Sequence, residues 1–260
     1  MKKELTEIEA KRNQRKKKIR KRRLIVFSVF MLLVCAVVLF VLLKTKLFPV
    51  KNISASGSAL YTAEQIVEAS GIDGKTPIFG ISEKKTEENI IKMLPFIESV
   101  KIKRKFPDSV QITVTDAKEY FAFRTDGGYA ITNKNTRVLN ISQTEELPEG
   151  VIEVIADGLK FKTAKNVEFK NDTQKELFEI LTSYPEDKNM KLNSVDITDT
   201  VQLKIRIEDR FDVNLGNREN LKNKIDHLAG MITTMEGKKG KINLESWSQS
   251  DKKAFFTAEN

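Results

Sequence analysis

Apolar and polar positions follow three different rhythms along this chain. The first is continuous. Residues 24–43, from Leu24 to Leu43, are 20 consecutive positions without a charge, and 16 of them are Leu, Ile, Val or Phe. A helix of that length spans about 30 Å, the thickness of a bilayer's hydrocarbon core. Those side chains favour insertion by up to about 5 to 10 kcal/mol. A cleaved signal peptide has a shorter apolar run, about 7–15 residues, closed by a small-residue cleavage site. Here Lys44-Thr45-Lys46-Leu47-Phe48-Pro49 follows the run, and the small residues of 54–59 lie ten or more positions beyond it. The segment reads as a membrane span.

Residues 47–116 mix the period of a strand with that of a helix. Residues 50–54 read as a short strand, closed by Ser56-Gly57-Ser58. Thr62-Ala63-Glu64-Gln65 has the form of a capping box, in which the Thr hydroxyl takes one free amide and Gln65 reaches back to another. The helix it opens carries Ile66, Val67 and Ala69 and stops at Ser70-Gly71; Asp73-Gly74 and Pro77 make the next loop. A second helix is predicted over residues 82–93, apolar at Ile90 and Ile91, with Leu94 next and Pro95 as its stop. Ile97, Val100 and Ile102 place a strand on 96–103, residues 104–108 turn, and Val110, Ile112 and Val114 alternate with polar residues in a further strand. The predicted order is β-α-α-β-β.

Residues 117–260 are richer in strands. Segments 120–123 and 129–131 flank Thr125-Asp126-Gly127-Gly128, a hairpin turn by composition. Val201, Leu203, Ile205 and Ile207 alternate with polar residues, and Phe211, Val213 and Leu215 resume the alternation after Asp209-Arg210. That predicts a hairpin with one buried and one wet face. Thr173-Gln174-Lys175-Glu176 reads as a second capping box, with Leu177, Ile180, Leu181 and Tyr184 on one side of its helix. Leu221, Ile225, Leu228, Ile232 and Met235 form one apolar stripe ended by Gly237. Segment 241–247, a turn at 248–251 and a strand at 253–257 close the chain.

Charge changes the picture only when it is divided by position. Of the net +9, the whole amount sits in residues 1–23, which hold 12 Lys or Arg and three Glu; the remaining 237 positions carry 33 basic and 33 acidic residues. The body is neutral, so the basic total does not describe a nucleic-acid-binding domain, and no aromatic is interleaved in KRNQRKKKIRKRR for base stacking. Ten basic residues occupy positions 11–23, against Lys44, Lys46 and Lys51 in 44–63, which predicts a cytoplasmic N-terminus with everything after the span outside. The same run attracts anionic lipid head groups. The one Cys, Cys35, lies mid-span and reads as an apolar filler. The outer part must therefore fold without disulfides, and Cys-based zinc sites are excluded.

Catalytic chemistry finds little to use. One His, His227, forbids a multi-His metal site, and its place off the apolar stripe predicts an exposed surface residue. There is no GxSxG, GxxxxGK[ST] or GxGxxG motif. A carboxylate pair for cell-wall cleavage is open on counting alone, since 33 acidic residues lie outside the tail; most are read as solvated surface charge. Trp247 is read as packing at a strand rather than as a carbohydrate platform. No catalytic residue, cofactor or metal ligand is predicted.

One stretch carries a resemblance. LPFIESVKIKRKFPDSVQITVTD, with Leu94-Pro95-Phe96, the strand at 100–103, Arg104 through Pro107 and the alternating strand at 110–115, resembles the POTRA signature of the FtsQ/DivIB cell-division proteins. FPVKNISASG before it is similar to that family's first strand after the membrane. DRFDVNLGNRENLKNKIDHLAGMI and Lys241-Ile242-Asn243-Leu244 are similar to segments of the β domain that follows. The chain departs from the family after Thr115, with Asp116 near a common Glu position and no Pro in Lys118-Glu119-Tyr120. The resemblance implies an α+β chain with a basic cytoplasmic tail (1–23), a single transmembrane helix (24–43), a POTRA domain (47–116) and a larger mixed β domain with helices (117–260). It also implies a non-enzymatic divisome scaffold at the septum of the bacterial cell membrane. Its partners would be FtsL-like and FtsB/DivIC-like single-pass proteins and the septal peptidoglycan synthase complex, with no nucleic acid. Arg104 and Pro107 are expected to be structural. The final strand, Lys253, Ala254, Phe255, Phe256 and Thr257, is the candidate partner-binding element, because a sheet edge accepts a further strand. The rival readings are an envelope-anchored enzyme or sensor, and a POTRA-bearing translocation component. The second is disfavoured because no run of alternating ten-residue strands follows to build an outer-membrane barrel.

Overall fold

The computed structural model describes residues 2–44 and 48–259, with side chains over 20–41 and 48–259. The side chains of the tail below Arg20 and of Leu43, and the flanking Lys46, lie outside the described residues. A single helix, α1 (Lys2–Lys44), runs through tail and apolar segment; its residues Arg20–Val41 are long and apolar enough to cross a membrane, and none is buried.

After α1 come β1 (Asn52–Ser56), α2 (Ala63–Ser70), a 3-10 turn (Ile78–Gly80), α3 (Glu83–Met93), β2 (Ile97–Lys105) and β3 (Ser109–Asp116). The strands form one sheet in the order β1-β3-β2, with β1 parallel and β2 antiparallel to β3. The Thr62 capping box forms in full, the hydroxyl accepting from the Gln65 amide and the Gln65 side chain from the Thr62 amide, and Gly71 closes α2 in the left-handed conformation. Ile66, Ile90 and Ile97 join Val110, Ile112 and Val114 in one buried core. The hairpin is tighter than the predicted turn at 104–108. Arg104 and Lys105 remain in the ladder opposite Val110 and Ser109, and only Phe106, Pro107 and Asp108 turn.

Nine strands make the second sheet. They are β4 (Phe121–Thr125), β5 (Gly128–Thr132), β6 (Val138–Ser142), β7 (Ile152–Ile155), β8 (Leu192–Asp196), β9 (Leu203–Ile207), β10 (Phe211–Gly216), β11 (Gly240–Asn243) and β12 (Phe255–Ala258). Their order is β12-β11-β10-β9-β8-β7-β4-β5-β6. Helices α4 (Asp172–Asp187) and α5 (Leu221–Thr233) bury their apolar sides with the inward residues of these strands in a second core, which includes Phe123, Phe178, Leu181, Phe211, Ile225 and Leu228. Phe178 holds Phe121, Phe123 and Phe169 at ring distances of 5.1–5.5 Å.

Several expectations are corrected at element ends. The cap of α4 is Asn171, whose side chain accepts from the Gln174 amide, and not Thr173. Gln174 is buried and its side chain accepts from the amide of Lys170, just before that cap, so the helix is capped two residues earlier than the Ser/Thr pattern suggests. Val201 lies outside β9 and is exposed, because Asp199 turns the chain there by accepting from the Val201 amide. Helix α5 stops at Thr233, so Met235 falls on the following turn and Gly237 beyond it. Trp247 packs into the core just after β11 rather than on a strand. His227 is half-buried, not exposed, with its ring 6.0 Å from that of Trp247.

The turn from β10 to α5 is held by a buried cation. Lys224 is 1% exposed and its Nζ donates to the carbonyls of Leu215 (2.7 Å) and Asn217 (3.1 Å). Burial pushes its pKa below the ordinary lysine value, against a weaker upward pull from Glu219 and Glu245. Lys224→Met keeps the stem but leaves both carbonyls without this donor. Each kcal/mol lost lowers the melting temperature of a unit this size by about 2–4 °C, and the variant is expected to lose about 1–3 kcal/mol in thermal unfolding. The sign with pH follows from linkage. A folded-state pKa below the unfolded one means the unfolded chain binds more protons, so stability rises with pH between the two values. Lys224→Met is expected to remove that alkaline rise.

Candidate partner-binding edge

Strand β12 forms one margin of the nine-stranded sheet and pairs only with β11, antiparallel, with Lys241 opposite Thr257 and Asn243 opposite Phe255. The predicted strand at 253–257 is thus displaced: Lys253 and Ala254 precede it, and Ala258 completes it. The Glu259 amide donates to the Lys239 carbonyl at 3.0 Å. By the two-residue alternation of a strand, Phe255 and Thr257 therefore turn their backbone groups toward β11. Phe256 and Ala258 turn theirs outward, offering two amides and two carbonyls to an incoming strand.

Side chains divide the other way. Phe256 points to the core, with its ring 6.3 Å from Phe211, while Phe255 is 59% exposed on the open face. On that face Phe255 and Thr257 border a trough of about 680 Å³. Its floor includes Lys204, Arg206, Asp212 and Lys241, with Arg206 and Asp212 paired at 3.2 Å. The arrangement offers main-chain hydrogen bonds along the edge, one aromatic anchor, and a charged face beside it.

Two of the three other margins differ from it, while β1, Asn-Ile-Ser-Ala-Ser, is an uncharged edge of the first sheet. At β6, Val138 already exchanges bonds with Lys165 and Ala164 (2.8 and 2.9 Å). The long edge strand β2 carries exposed Lys101, Lys103 and Lys105, the charges that discourage edge-to-edge pairing. Strand β12, Phe-Phe-Thr-Ala, carries none.

The signature residues of the first module lie at its joints. The Arg104 guanidinium donates to the carbonyls of Ile78 (3.2 Å) and Ile81 (2.9 Å) and pairs with Glu83 (2.8 Å), strapping the 3-10 turn and the start of α3 to the sheet. Pro107 sits exposed in the β2–β3 turn. Leu94 ends α3, and Pro95 and Phe96 lead into β2. Asp116 accepts from the Ser58 hydroxyl and the Ala59 amide at 2.6 and 2.7 Å, tying the end of β3 to the loop after β1.

One residue that the sequence reading did not single out joins the two sheets. Arg137, 12% exposed at its side chain, donates to the carbonyls of Pro95 (2.7 Å) and Ile97 (2.8 Å) and to Glu98 (3.0 Å). Asn133 positions it, accepting from the Arg137 amide at 2.8 Å and donating to Glu98 at 2.7 Å. The polar turn Asn133-Lys134-Asn135-Thr136 signals a bend, but nothing in the sequence pattern says that the next side chain crosses to another sheet. Among the described residues, no group of three or more His, Cys, Asp or Glu is placed to hold a metal ion.

Comparison with known proteins bears directly on this architecture. Residues 48–116, which contain the three-stranded sheet and its helices, match the FtsQ-type POTRA domain. Proteins named cell division protein DivIB are similar over most of the chain. That of Clostridium acetobutylicum is 28% identical over 207 residues, 78% of this chain and 81% of its own length. That of Bacillus cytotoxicus is 30% identical over 179 residues, 67% of each chain. The chain belongs to the FtsQ/DivIB family. The Bacillus anthracis protein extends the likeness to 90% of this chain, at 26% identity. The family supports a role in cell division, and the apolar N-terminal helix fits a single-pass membrane protein.

Proposed function

We propose that this FtsQ/DivIB-family chain is a non-enzymatic scaffold of the division machinery. Its tail lies in the cytoplasm and its two sheets outside the membrane. Its C-terminal edge takes a strand from an FtsB/DivIC-like partner, which joins the assembly together with an FtsL-like protein. Through these contacts it helps localise and regulate the septal peptidoglycan synthase. The observation that carries the reading is β12, an uncharged edge strand whose outer amides and carbonyls face away from the sheet beside an exposed phenylalanine. A sheet edge of this kind binds by strand addition, with main-chain bonds for affinity and alternate side chains for choice of partner. Nothing in that mode requires a bond to be made or broken in a substrate.

Two experiments test it at different levels. Depletion followed by microscopy should give filaments without septa; normal septation would sink the division role. Protease added to intact protoplasts should remove the chain beyond residue 46 and spare the tail. The ten basic residues at 11–23 against three at 44–63 support that orientation. Protection of the C-terminal sheet would reverse the topology and remove the scaffold reading with it.

A further inference from the structure

We infer that the base of the POTRA domain is itself a lipid-contacting surface, seated through Phe48, Phe79 and Phe106 on the head-group region of the membrane that holds α1. The inference rests on the membrane-spanning reading of α1. Three segments converge to build the surface. Phe48 is the fourth residue after the end of α1, and its carbonyl accepts from the Ile78 amide at 2.9 Å. The ring of Phe79 stands 6.1 Å from that of Phe48 and 5.3 Å from that of Phe106. Phe106 belongs to the β2–β3 turn, which lies beside the start of β1 because the Lys51 and Asn52 amides donate to the Asp108 carbonyl.

The fold thus brings the β2–β3 turn back to the point where the chain leaves the span. Four residue steps cover at most about 14 Å, and α1 comes within 8 Å of the 3-10 turn between Cα atoms. An aromatic patch at this place cannot be far from the head groups. Yet Phe106 is 63% and Phe48 38% exposed, unlike the buried Phe121, Phe123, Phe178 and Phe211 in the core of the second sheet. Large apolar side chains left open at the boundary of a membrane find an apolar partner in the outermost acyl carbons, at a depth of about 5–10 Å.

Charge favours the same occupant. Exposed Lys51, Lys75 and Lys105 lie within four positions of Phe48, Phe79 and Phe106 in the sequence and supply positive charge for anionic head groups. Of the acids nearby, Asp108 faces Lys51 at 3.8 Å, Glu83 is held by Arg104, and Asp73 accepts from its own loop, from Thr76 and the Lys75 amide. Seating the patch in this way would fix the tilt of the first sheet relative to the bilayer, and so the direction in which the second sheet is presented.

The test uses the full chain reconstituted in vesicles, with Phe106→Trp as reporter. Trp247 is the only native Trp and is buried, so the unmodified protein supplies its background. Carbonate-resistant flotation with the vesicles reports insertion of α1 separately. In floated protein, lipids brominated near the head group are expected to quench the added emission, which should also be blue-shifted. The quenching should be stronger in phosphatidylglycerol-containing vesicles than in pure phosphatidylcholine. Met93→Trp, exposed near the opposite end of β2, should remain unquenched. Two results in floated protein would overturn the inference while leaving the scaffold reading intact: no quenching of the Phe106→Trp variant, or equally strong quenching of Met93→Trp. Equal quenching in both lipids would remove the lysines from it. Protein that fails to float would overturn both, through the span.

Discussion

Ala258→Pro is expected to abolish capture of the FtsB/DivIC-like partner while the purified outer region melts as the parent does. The asymmetry comes from the register. The amide of Ala258 points out of the sheet, so proline removes a donor available only to an incoming strand and leaves the bonds of Phe255 and Thr257 to β11 in place. Thr257→Pro inverts the experiment, because its amide faces β11; that variant should detach the strand and lower stability as well. Phe255→Ala probes the side-chain half of the site. An aromatic anchor at the centre of an interface is worth about 2 kcal/mol or more, about a thirtyfold change in affinity. Its exposure predicts almost no change in melting. Phe256→Ala should behave in the opposite sense, since that ring packs toward Phe211.

Removing residues 253–260 combines these losses and is expected to eliminate binding altogether. Residues 48–116 should stay folded, because their core draws on α2, α3 and β1–β3 alone. Calorimetric titration of the partner's outer segment into each variant, with melting curves in parallel, separates binding from folding. Undiminished affinity in the truncated protein would discard strand addition and move the interface elsewhere on the nine-stranded sheet.

What the sequence makes legible here is whatever repeats locally. The alternation at 203–207 and 211–215, the Thr62 box and the stripe from Leu221 to Ile232 each became the predicted element, because burial of one face and satisfaction of free amides are local demands. The adjacent pair Phe255 and Phe256 could be divided between two faces by strand geometry alone. Strands β6, β7 and β8 gave no such pattern. Val138 and Leu139 are buried in succession, and β7 has one fully buried residue in four, so no period of two stands out. Their place in the sheet is set by partners distant in sequence, as when β7 pairs in parallel with both β4 and β8. His227 escaped for a similar reason: Trp247, which covers it, is 20 positions away. Contacts between modules are the extreme case, and Arg137 is the clearest of them.

Replacing Arg137 by Ala is expected to uncouple the two sheets. The side chain serves two carbonyls and one carboxylate at once, from a position that little water reaches. Leaving the two part-buried carbonyls and the Glu98 carboxylate, itself 36% exposed, without their donor costs about 1–3 kcal/mol. Hydrogen exchange should rise at 95–98 and 133–137 while the cores of both sheets stay protected, and thermal unfolding should separate into two transitions. Arg137→Lys should restore only part of the coupling, since a single ammonium cannot span the fork that a planar guanidinium fills. Affinity at β12 should not change. Eight interstrand steps of about 4.8 Å place that edge about 38 Å from β6, beside which Arg137 lies. A protein of this kind would still bind its partner but would no longer hold it at a fixed height and angle above the membrane. If Arg137→Ala instead unfolded in one transition at the parent's temperature, the joint would be a contact without mechanical consequence, and the orientation of the binding edge would have to be set by the partners themselves.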